Sequence, residues 1–152
     1  MFRGLTTVNL DVKGRLAVPV RFREQLSALD SPALVLTLNP WDRALWLYPL
    51  PEWQLIETKL SVLSDFDKQS RRTKQMMRGY ATDVSCDGQG RILLSPELRD
   101  IAALDKQVVL LGQGNKIEIW DATRWRDERD EWLDDVGTGA GTPSTALETL
   151  AL

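Results

Sequence analysis

Two short segments of the chain share a turn pattern that places an arginine directly after a glycine. Residues 11–15 read DVKGR and residues 87–91 read DGQGR, so Asp-x-x-Gly-Arg occurs twice at an offset of 76 residues. An aspartate at the first position accepts hydrogen bonds from backbone N–H groups further along the turn, and glycine adopts the positive φ that ends such a turn. Asp11, Asp87 and Gly90 are therefore predicted to form turns. The arginine that follows lies at a strand end, where a guanidinium can contact phosphates or base edges.

The simplest alternative is that each arginine only pairs with the aspartate of its own turn. One Asp-x-x-Gly-Arg is a weak motif, but here it occurs twice, each time within a basic part of the chain. Residues 1–23 carry a net charge of +4 and residues 68–99 carry +4, although the whole chain carries −3. Basic segments bind the phosphate backbone of nucleic acids, so the Arg15 face is predicted to contact DNA. The second turn has neutral Gly88 and Gln89, so the Arg91 face either contacts DNA or packs against protein.

The composition excludes several classes of chemistry. The 152 residues contain no histidine, which rules out Ser-His, Cys-His and His-metal mechanisms. The single Cys86 forms no intramolecular disulfide and has no zinc-site spacing around it, which fits a reducing cytoplasm. A hydrolase that uses Asp11 or Asp87 lacks a second catalytic group placed by the sequence. We therefore expect no enzyme, no cofactor and no metal, and we find no membrane-spanning or secretory segment in the sequence.

The two turns open two copies of a longer repeat. Each turn precedes an apolar run and a proline, and Pro19 aligns with Pro96 if one inserted residue is allowed. We predict, in each copy, a short hairpin across the turn, a short helix, two further strands and a longer helix. The predicted segments are residues 1–64 as the first repeat, 65–79 as a linker helix, 80–136 as the second repeat and 137–152 as a flexible tail.

The tryptophans offer a rival interpretation, in which exposed rings stack on unpaired bases. Their strand and helix spacings favour core packing instead, and only Trp41, in a turn beside Pro40, is expected at the surface. Cys86 is expected in a strand as a small apolar residue. The residues predicted for the core are Trp46, Trp53, Trp120, Trp125 and Trp132.

Four segments together resemble the MraZ family of bacterial transcriptional regulators. They read MFRGLTTVNLDVKGRLAVPVRFREQL, LYPLPEW, DGQGRILLSPELR and LLGQGNKIEIWD, and the resemblance covers about residues 1–135. Each copy is also similar to the AbrB-type DNA-binding hairpin. The resemblance implies an α+β fold in which two tandem AbrB-like repeats form a β-barrel with peripheral helices. It also implies DNA contact through a loop with Arg3 nearby, formed by Asp11, Lys13, Gly14 and Arg15, with Asp87, Gly90 and Arg91 as its second copy.

The function expected from these observations is a sequence-specific regulator that binds double-stranded DNA and represses transcription. The resemblance implies that it controls the gene cluster for division and cell-wall synthesis, including its own promoter, as a homo-oligomeric ring in the cytoplasm at the nucleoid. Neighbours around a ring present their loops in the same orientation, so short direct repeats are the expected sites. The alternative is an oligomeric structural or interaction protein without specific DNA binding.

Overall fold

The computed structural model describes residues 1–29, 32–137, 144–150 and 152. These form two compact units, Met1–Ala122 and Thr123–Leu152. The elements of the described residues, in chain order, are β1 (Phe2–Asn9), β2 (Arg15–Ala17), α1 (Val20–Ser27), β3 (Leu34–Leu38), β4 (Leu45–Pro49), α2 (Leu50–Ser61), α3 (Lys68–Gly79), β5 (Thr82–Val84), β6 (Arg91–Leu93), α4 (Pro96–Ile101), β7 (Gln107–Gly114), β8 (Ile117–Asp121), α5 (Ala122–Gly137) and α6 (Thr145–Thr149).

Six of the strands form an antiparallel sheet in the order β1-β7-β8-β4-β3-β5, and β2 pairs with β6 in a separate two-stranded ribbon. One face of the sheet packs against the ribbon, α1 and α4 around a core that includes Leu16, Phe22, Ile92 and Leu98. On the other face, α2 and α3 cover β3 and β4 with a second apolar cluster. Both faces of β3 and β4 are thus buried, which explains why these strands are almost entirely apolar in sequence, with Thr37 of β3 donating its hydroxyl to the carbonyl of Met77.

The two repeats are interleaved within this fold. Strand β1 pairs with β7, β3 with β5, β4 with β8 and β2 with β6, so four ladders join the first copy to the second. Among the described residues, only the β3–β4 and β7–β8 ladders lie within one copy. The counterparts in the two repeats are β1 and β5, β3 and β7, and β4 and β8. When each strand is exchanged for its counterpart, the sheet order is simply reversed. Each repeat therefore supplies half of a shared sheet.

The prediction of a hairpin across residues 12–14 is wrong, although the turn itself is present. The backbone N–H of Asp11 donates to the carbonyl of Arg15 at 2.9 Å, but β1 and β2 continue into ladders with β7 and β6. The physical reason is burial, because Leu16 reaches the shared core only when β2 lies beside β6. A local β1–β2 hairpin would leave the Leu16 side chain without its packing partner from the second copy, Ile92.

The α+β class is confirmed, but the predicted closed barrel is not what forms. Strands β1 and β5 are the two edges of the six-stranded sheet, and no ladder joins them among the described residues. Strand β5 has three residues, and helices cover the sheet, so apolar surface is buried in layers without closure.

The predicted helices are present, and their positions correct the repeat alignment. The short helices α1 and α4 begin at Val20 and Pro96, which keeps the offset at 76, so the inserted residue is not needed. The Ser95 hydroxyl accepts from the N–H of Leu98 at 3.3 Å, as expected of an N-cap. The linker helix is α3, capped by Asp67.

Three smaller predictions have mixed outcomes. Trp46, Trp53 and Trp120 are buried and Trp41 is 78% exposed, as expected, but Trp132 is 65% exposed, so its prediction as a core residue is wrong. Cys86 is partly buried against the core, but it lies beyond the end of β5, so its prediction as a strand residue is wrong. In the predicted flexible tail, residues 145–149 form α6, whereas residues 138–143 and 151 lie outside the described residues.

The interleaving predicts that neither copy folds alone. A fragment of residues 1–79 keeps the β3–β4 ladder and loses every ladder to the second copy. We expect weak β-sheet circular dichroism and no cooperative melting from the monomeric fragment, with the signal restored by an equimolar fragment of residues 80–152. A monomeric 1–79 fragment that melts cooperatively would contradict the shared sheet.

Candidate nucleic-acid interface

The first turn is built around the carboxylate of Asp11. One carboxylate oxygen accepts from the backbone N–H groups of Lys13 and Arg15, both at 2.9 Å. The other accepts from Nε of Arg15 at 2.7 Å. The N–H of Gly14 donates to the Asp11 carbonyl at 3.0 Å, and Gly14 has φ +84°. The same carboxylate thus stabilises the turn through one oxygen and orients the arginine side chain through the other.

The second turn repeats this geometry in each of these contacts. Asp87 accepts from the N–H groups of Gln89 and Arg91 at 2.9 Å each, and from Nε of Arg91 at 2.9 Å. Gly90 has φ +74°. Hydrogen bonding thus places the carboxylates of Asp11 and Asp87 at the start of two equivalent turns, and Gly90 has its positive φ at the end of the second.

These hydrogen bonds also fix the charge state of both aspartates. The backbone N–H of Arg15 is the main cause that lowers the pKa of Asp11 below its ordinary value, and that of Arg91 does the same for Asp87. The hydrogen bond from the side chain of the same arginine lowers the pKa of each aspartate further. Both carboxylates are ionised at neutral pH and accept three hydrogen bonds each, which suits them to hold a guanidinium and not to abstract protons.

The ion pairs leave part of each arginine available. Only Nε contacts the aspartate closely, and each arginine side chain is 29% exposed. Within the described residues, neither Arg15 nor Arg91 has a hydrogen-bond partner at its two terminal nitrogens. The simplest alternative, a pair within each turn, is thus present, and it leaves the outer donors of both guanidinium groups free for a ligand.

The ribbon places both arginines on one surface. Leu16 pairs with Ile92 at its centre, and both point into the core. Because side chains alternate along a strand, Arg15 and Arg91 lie on the opposite, outward side. Arg15 pairs across the ladder with Leu93, so Arg91 is its diagonal neighbour, and such neighbours in an antiparallel ladder are typically about 7–8 Å apart.

The other predicted residues are placed differently. Lys13 is exposed in the first turn, beside Arg15. Arg3 lies six residues before the end of β1, about 20 Å along the strand from that end, and the turn begins two residues further on. Phe2 and Val8 pack in the core on the ribbon side, so Arg3 lies on the other face of the sheet. The fold therefore brings Lys13 and the two turn arginines together and leaves Arg3 apart.

No group of three or more potential metal-ligating side chains occurs within the part of the chain that the structure describes. No helix among those residues is long and apolar enough to cross a membrane. The repeated feature that can contact a ligand is therefore the pair of Asp–Arg turns, which the β2–β6 ribbon brings together.

Comparison with known proteins accounts for the duplication. The family model described as "MraZ protein" matches the chain twice, over residues 1–76 and residues 77–134. The chain belongs to the MraZ family. It is 49% identical over 152 residues to a protein from Thioalkalivibrio sulfidiphilus and 46% identical over 152 residues to one from Escherichia coli K12, with both members of each pair fully covered. A Shewanella relative, from strain MR-7, is 52% identical over 131 residues, or 86% of each chain. All three bear the name "Transcriptional regulator MraZ".

In this MraZ-family chain, two further arginines support the turns, and sequence reasoning missed them as site residues. A Cβ on Gly14 would lie 2.7 Å from the guanidinium carbon of Arg99, and one on Gly90 would lie 2.6 Å from a terminal nitrogen of Arg23. Arg99 belongs to the second copy and Arg23 to the first, so each turn packs against an arginine of the other copy. Arg23 and Arg99 are 76 residues apart, the same offset as the two turns, and this offset could have identified them. Aligning Pro19 with Pro96 requires an inserted residue, which shifts the two arginines out of alignment.

The close packing at the first turn predicts a difference between two glycines of the MraZ pattern. Gly14→Ala places a Cβ at positive φ and against Arg99, whereas the Cβ of Gly88→Ala meets open space. We expect Gly14→Ala to lower the free energy of unfolding by about 1–2 kcal/mol. Gly88→Ala should change it by less than about 0.5 kcal/mol. Thermal or urea unfolding of both variants measures the difference, and equal stabilities would show that the first turn does not need its left-handed glycine.

Proposed function

We propose that this MraZ-family protein is a transcriptional regulator that binds double-stranded DNA sequence-specifically and represses transcription. The observation that carries the proposal is the pair of outward guanidinium groups on the β2–β6 ribbon, each held at Nε by its own aspartate. The names of the relatives support the regulatory role. The proposed targets are the promoters of the division and cell-wall gene cluster, including its own, and the protein acts at the nucleoid in the cytoplasm.

A two-stranded β-ribbon has dimensions that fit the major groove of B-DNA. Arginine is the residue that most often reads guanine there, through bidentate hydrogen bonds to O6 and N7. The terminal nitrogens of Arg15 and Arg91 are the free donors needed for such contacts. Their aspartates hold the guanidinium groups in place before binding, so less side-chain entropy is lost when DNA is bound.

Lys13 extends the first turn toward the phosphate backbone. It is exposed one residue before Gly14, and the second turn has neutral Gln89 at the equivalent position. A phosphate contact adds affinity without sequence preference and fixes the register of the base contacts. The proposal therefore assigns the greater share of DNA affinity to the first turn. Arg3, on the other face of the sheet, stays a weaker candidate for a phosphate contact.

Assembly into a ring belongs to the same proposal. One ribbon with two arginines and a lysine makes few contacts, and specific DNA affinity requires several ribbons acting together through their effective concentration. Large apolar side chains exposed on the first unit, Trp41, Val62 and Phe66, are available to bury between copies. A head-to-tail interface closes a ring and presents the ribbons in one direction, which suits short direct repeats.

The function is tested by replacing Arg15. Arg15→Ala should weaken binding to DNA from upstream of the protein's own gene by about 1–3 kcal/mol per engaged subunit, because a charge-assisted contact is lost. Fluorescence anisotropy at two salt concentrations measures the affinity, and footprinting of the wild type should reveal protected, spaced repeats. Unchanged affinity with an unchanged salt dependence would mean that Arg15 and the first turn do not contact DNA.

Arg91→Ala is the matched control for that experiment. Its turn has the same hydrogen bonds but lacks the neighbouring lysine, so we expect a smaller loss of affinity. Circular dichroism of both variants should match the wild type, because these arginines lie on the outward face of the ribbon. A larger loss with Arg91→Ala would reverse the assignment of the two turns.

The assembly is tested by mass. Light scattering at micromolar concentration should give several times the 17.2 kDa of one chain. Trp41→Ser and Phe66→Ser remove exposed apolar area and should lower that mass if these residues lie between copies. A wild-type protein that scatters as a monomer would remove the ring from the proposal.

A further inference from the structure

The outward face of the ribbon holds two apolar side chains besides its two arginines. Alternation places Ala17 of β2 and Leu93 of β6 on the same side as Arg15 and Arg91. Leu93 lies opposite Arg15 in the ladder, and Ala17 lies opposite Arg91. All four outward side chains of the ribbon are thus two guanidinium groups and two aliphatic groups.

Ala17 and Leu93 are equivalent positions of the two repeats, at the offset of 76 that also relates Arg15 to Arg91. The two halves of the ribbon have the same residue at the arginine positions, but they differ at this pair, which is alanine in β2 and leucine in β6. Leu93 is 56% exposed, whereas its neighbours Ile92 and Leu94 are fully buried. The fold does not require a large side chain there, because alanine fills the same place in the first copy.

A single exposed leucine is ordinary on a protein surface. Leu93 differs because it is flanked by two oriented guanidinium groups whose outer donors are free, so whatever these arginines bind also meets the leucine. On the major-groove edges of DNA, the 5-methyl group of thymine is the apolar group, and aliphatic side chains contact it.

We propose that Leu93 contacts the methyl group of a thymine next to the base read by Arg15, and that this contact, together with the lysine that only the first turn carries, sets the direction in which the ribbon lies on its site. The inference rests on the DNA-binding function proposed above. A ribbon with identical halves would bind equally well in either direction. Leucine on one side and alanine on the other make the two directions unequal, which direct repeats require of each reading unit.

The test removes one methyl group at a time from the DNA. The full-length protein first selects its preferred duplexes from a random-sequence library. Each thymine of a selected duplex is then replaced by deoxyuridine, which deletes the methyl group and keeps every hydrogen-bonding group. At one position the wild type should lose roughly four-fold in affinity, the loss expected from one methyl-sized apolar contact.

Leu93→Ala completes the comparison. It should bind the thymine duplex roughly four-fold more weakly than the wild type and should not distinguish thymine from deoxyuridine at that position. Leu55→Ala is the matched control, because Leu55 is 58% exposed on α2, away from the ribbon, and this variant should keep the wild-type dependence. Size-exclusion chromatography should show that both variants assemble as the wild type does.

The outcomes separate the two proposals. If no deoxyuridine substitution weakens the wild type, or if Leu93→Ala stays as sensitive as the wild type, the contact to thymine is wrong while DNA binding stands. If the protein selects no preferred duplex and Arg15→Ala changes nothing, the DNA-binding function fails, and the thymine contact fails with it.

Discussion

Pairing between the two repeats is the constraint on which the rest of the structure depends. The β2–β6 ladder is the clearest case, because Leu16 and Ile92 face each other at its centre and both enter the main core. The same three-residue strands carry the arginines on their outer side. Packing of the core therefore also determines the position of the candidate interface. Four ladders join the two copies, so the arrangement of the ribbon depends on strand pairing throughout the first unit.

The turns are fixed from both repeats at once. The carbonyl of Gly14 accepts from the N–H of Leu94 at 2.9 Å, and that of Gly90 accepts from the N–H of Val18 at 2.9 Å. Arg99 and Arg23 pack on the same two glycines from the opposite copy and donate from Nε to the carbonyls of Leu94 and Val18. Each turn is thus held by its own aspartate and by the strand and helix of the other repeat. A surface turn held in this way presents its arginine in one orientation.

Local chemistry in the sequence was sufficient to predict the turns and helices. Asp11, Gly14 and the cap at Ser95 depend on neighbours within a few residues, and each behaves as its residue type predicts. Strand pairing was not predictable in the same way. Nothing local distinguishes a β1–β2 hairpin from an exchange with the second copy, because both satisfy the backbone of the turn. The difference lies in the core, where Leu16 finds Ile92 only across the two repeats.

The errors at single residues have the same origin. Trp132 lies at helical spacing from Trp125 and was predicted as core on that ground, but spacing cannot say which face of a helix is covered, and the ring is exposed. Arg99 was passed over because its partner, Gly14, lies 85 positions earlier in the chain. The resemblance to a family located the arginines of the turns. It did not reveal that each turn depends on an arginine of the other repeat.

Local charge is what reconciles an acidic chain with a nucleic-acid interface. The net charge of −3 repels DNA at long range, and residues 118–152 alone carry −6, so attraction must come from basic groups within a Debye length, about 8–10 Å at physiological salt. The outward face of the ribbon offers such groups, since it carries the two turn arginines as diagonal neighbours and exposed Lys13 lies two residues before one of them. In the proposed complex, an acidic body limits non-specific coating of DNA, because a ribbon that is not seated in a groove gains few phosphate contacts. Under the proposed function, affinity then depends on seating several ribbons together, and specificity follows from the same geometry that the shared core imposes.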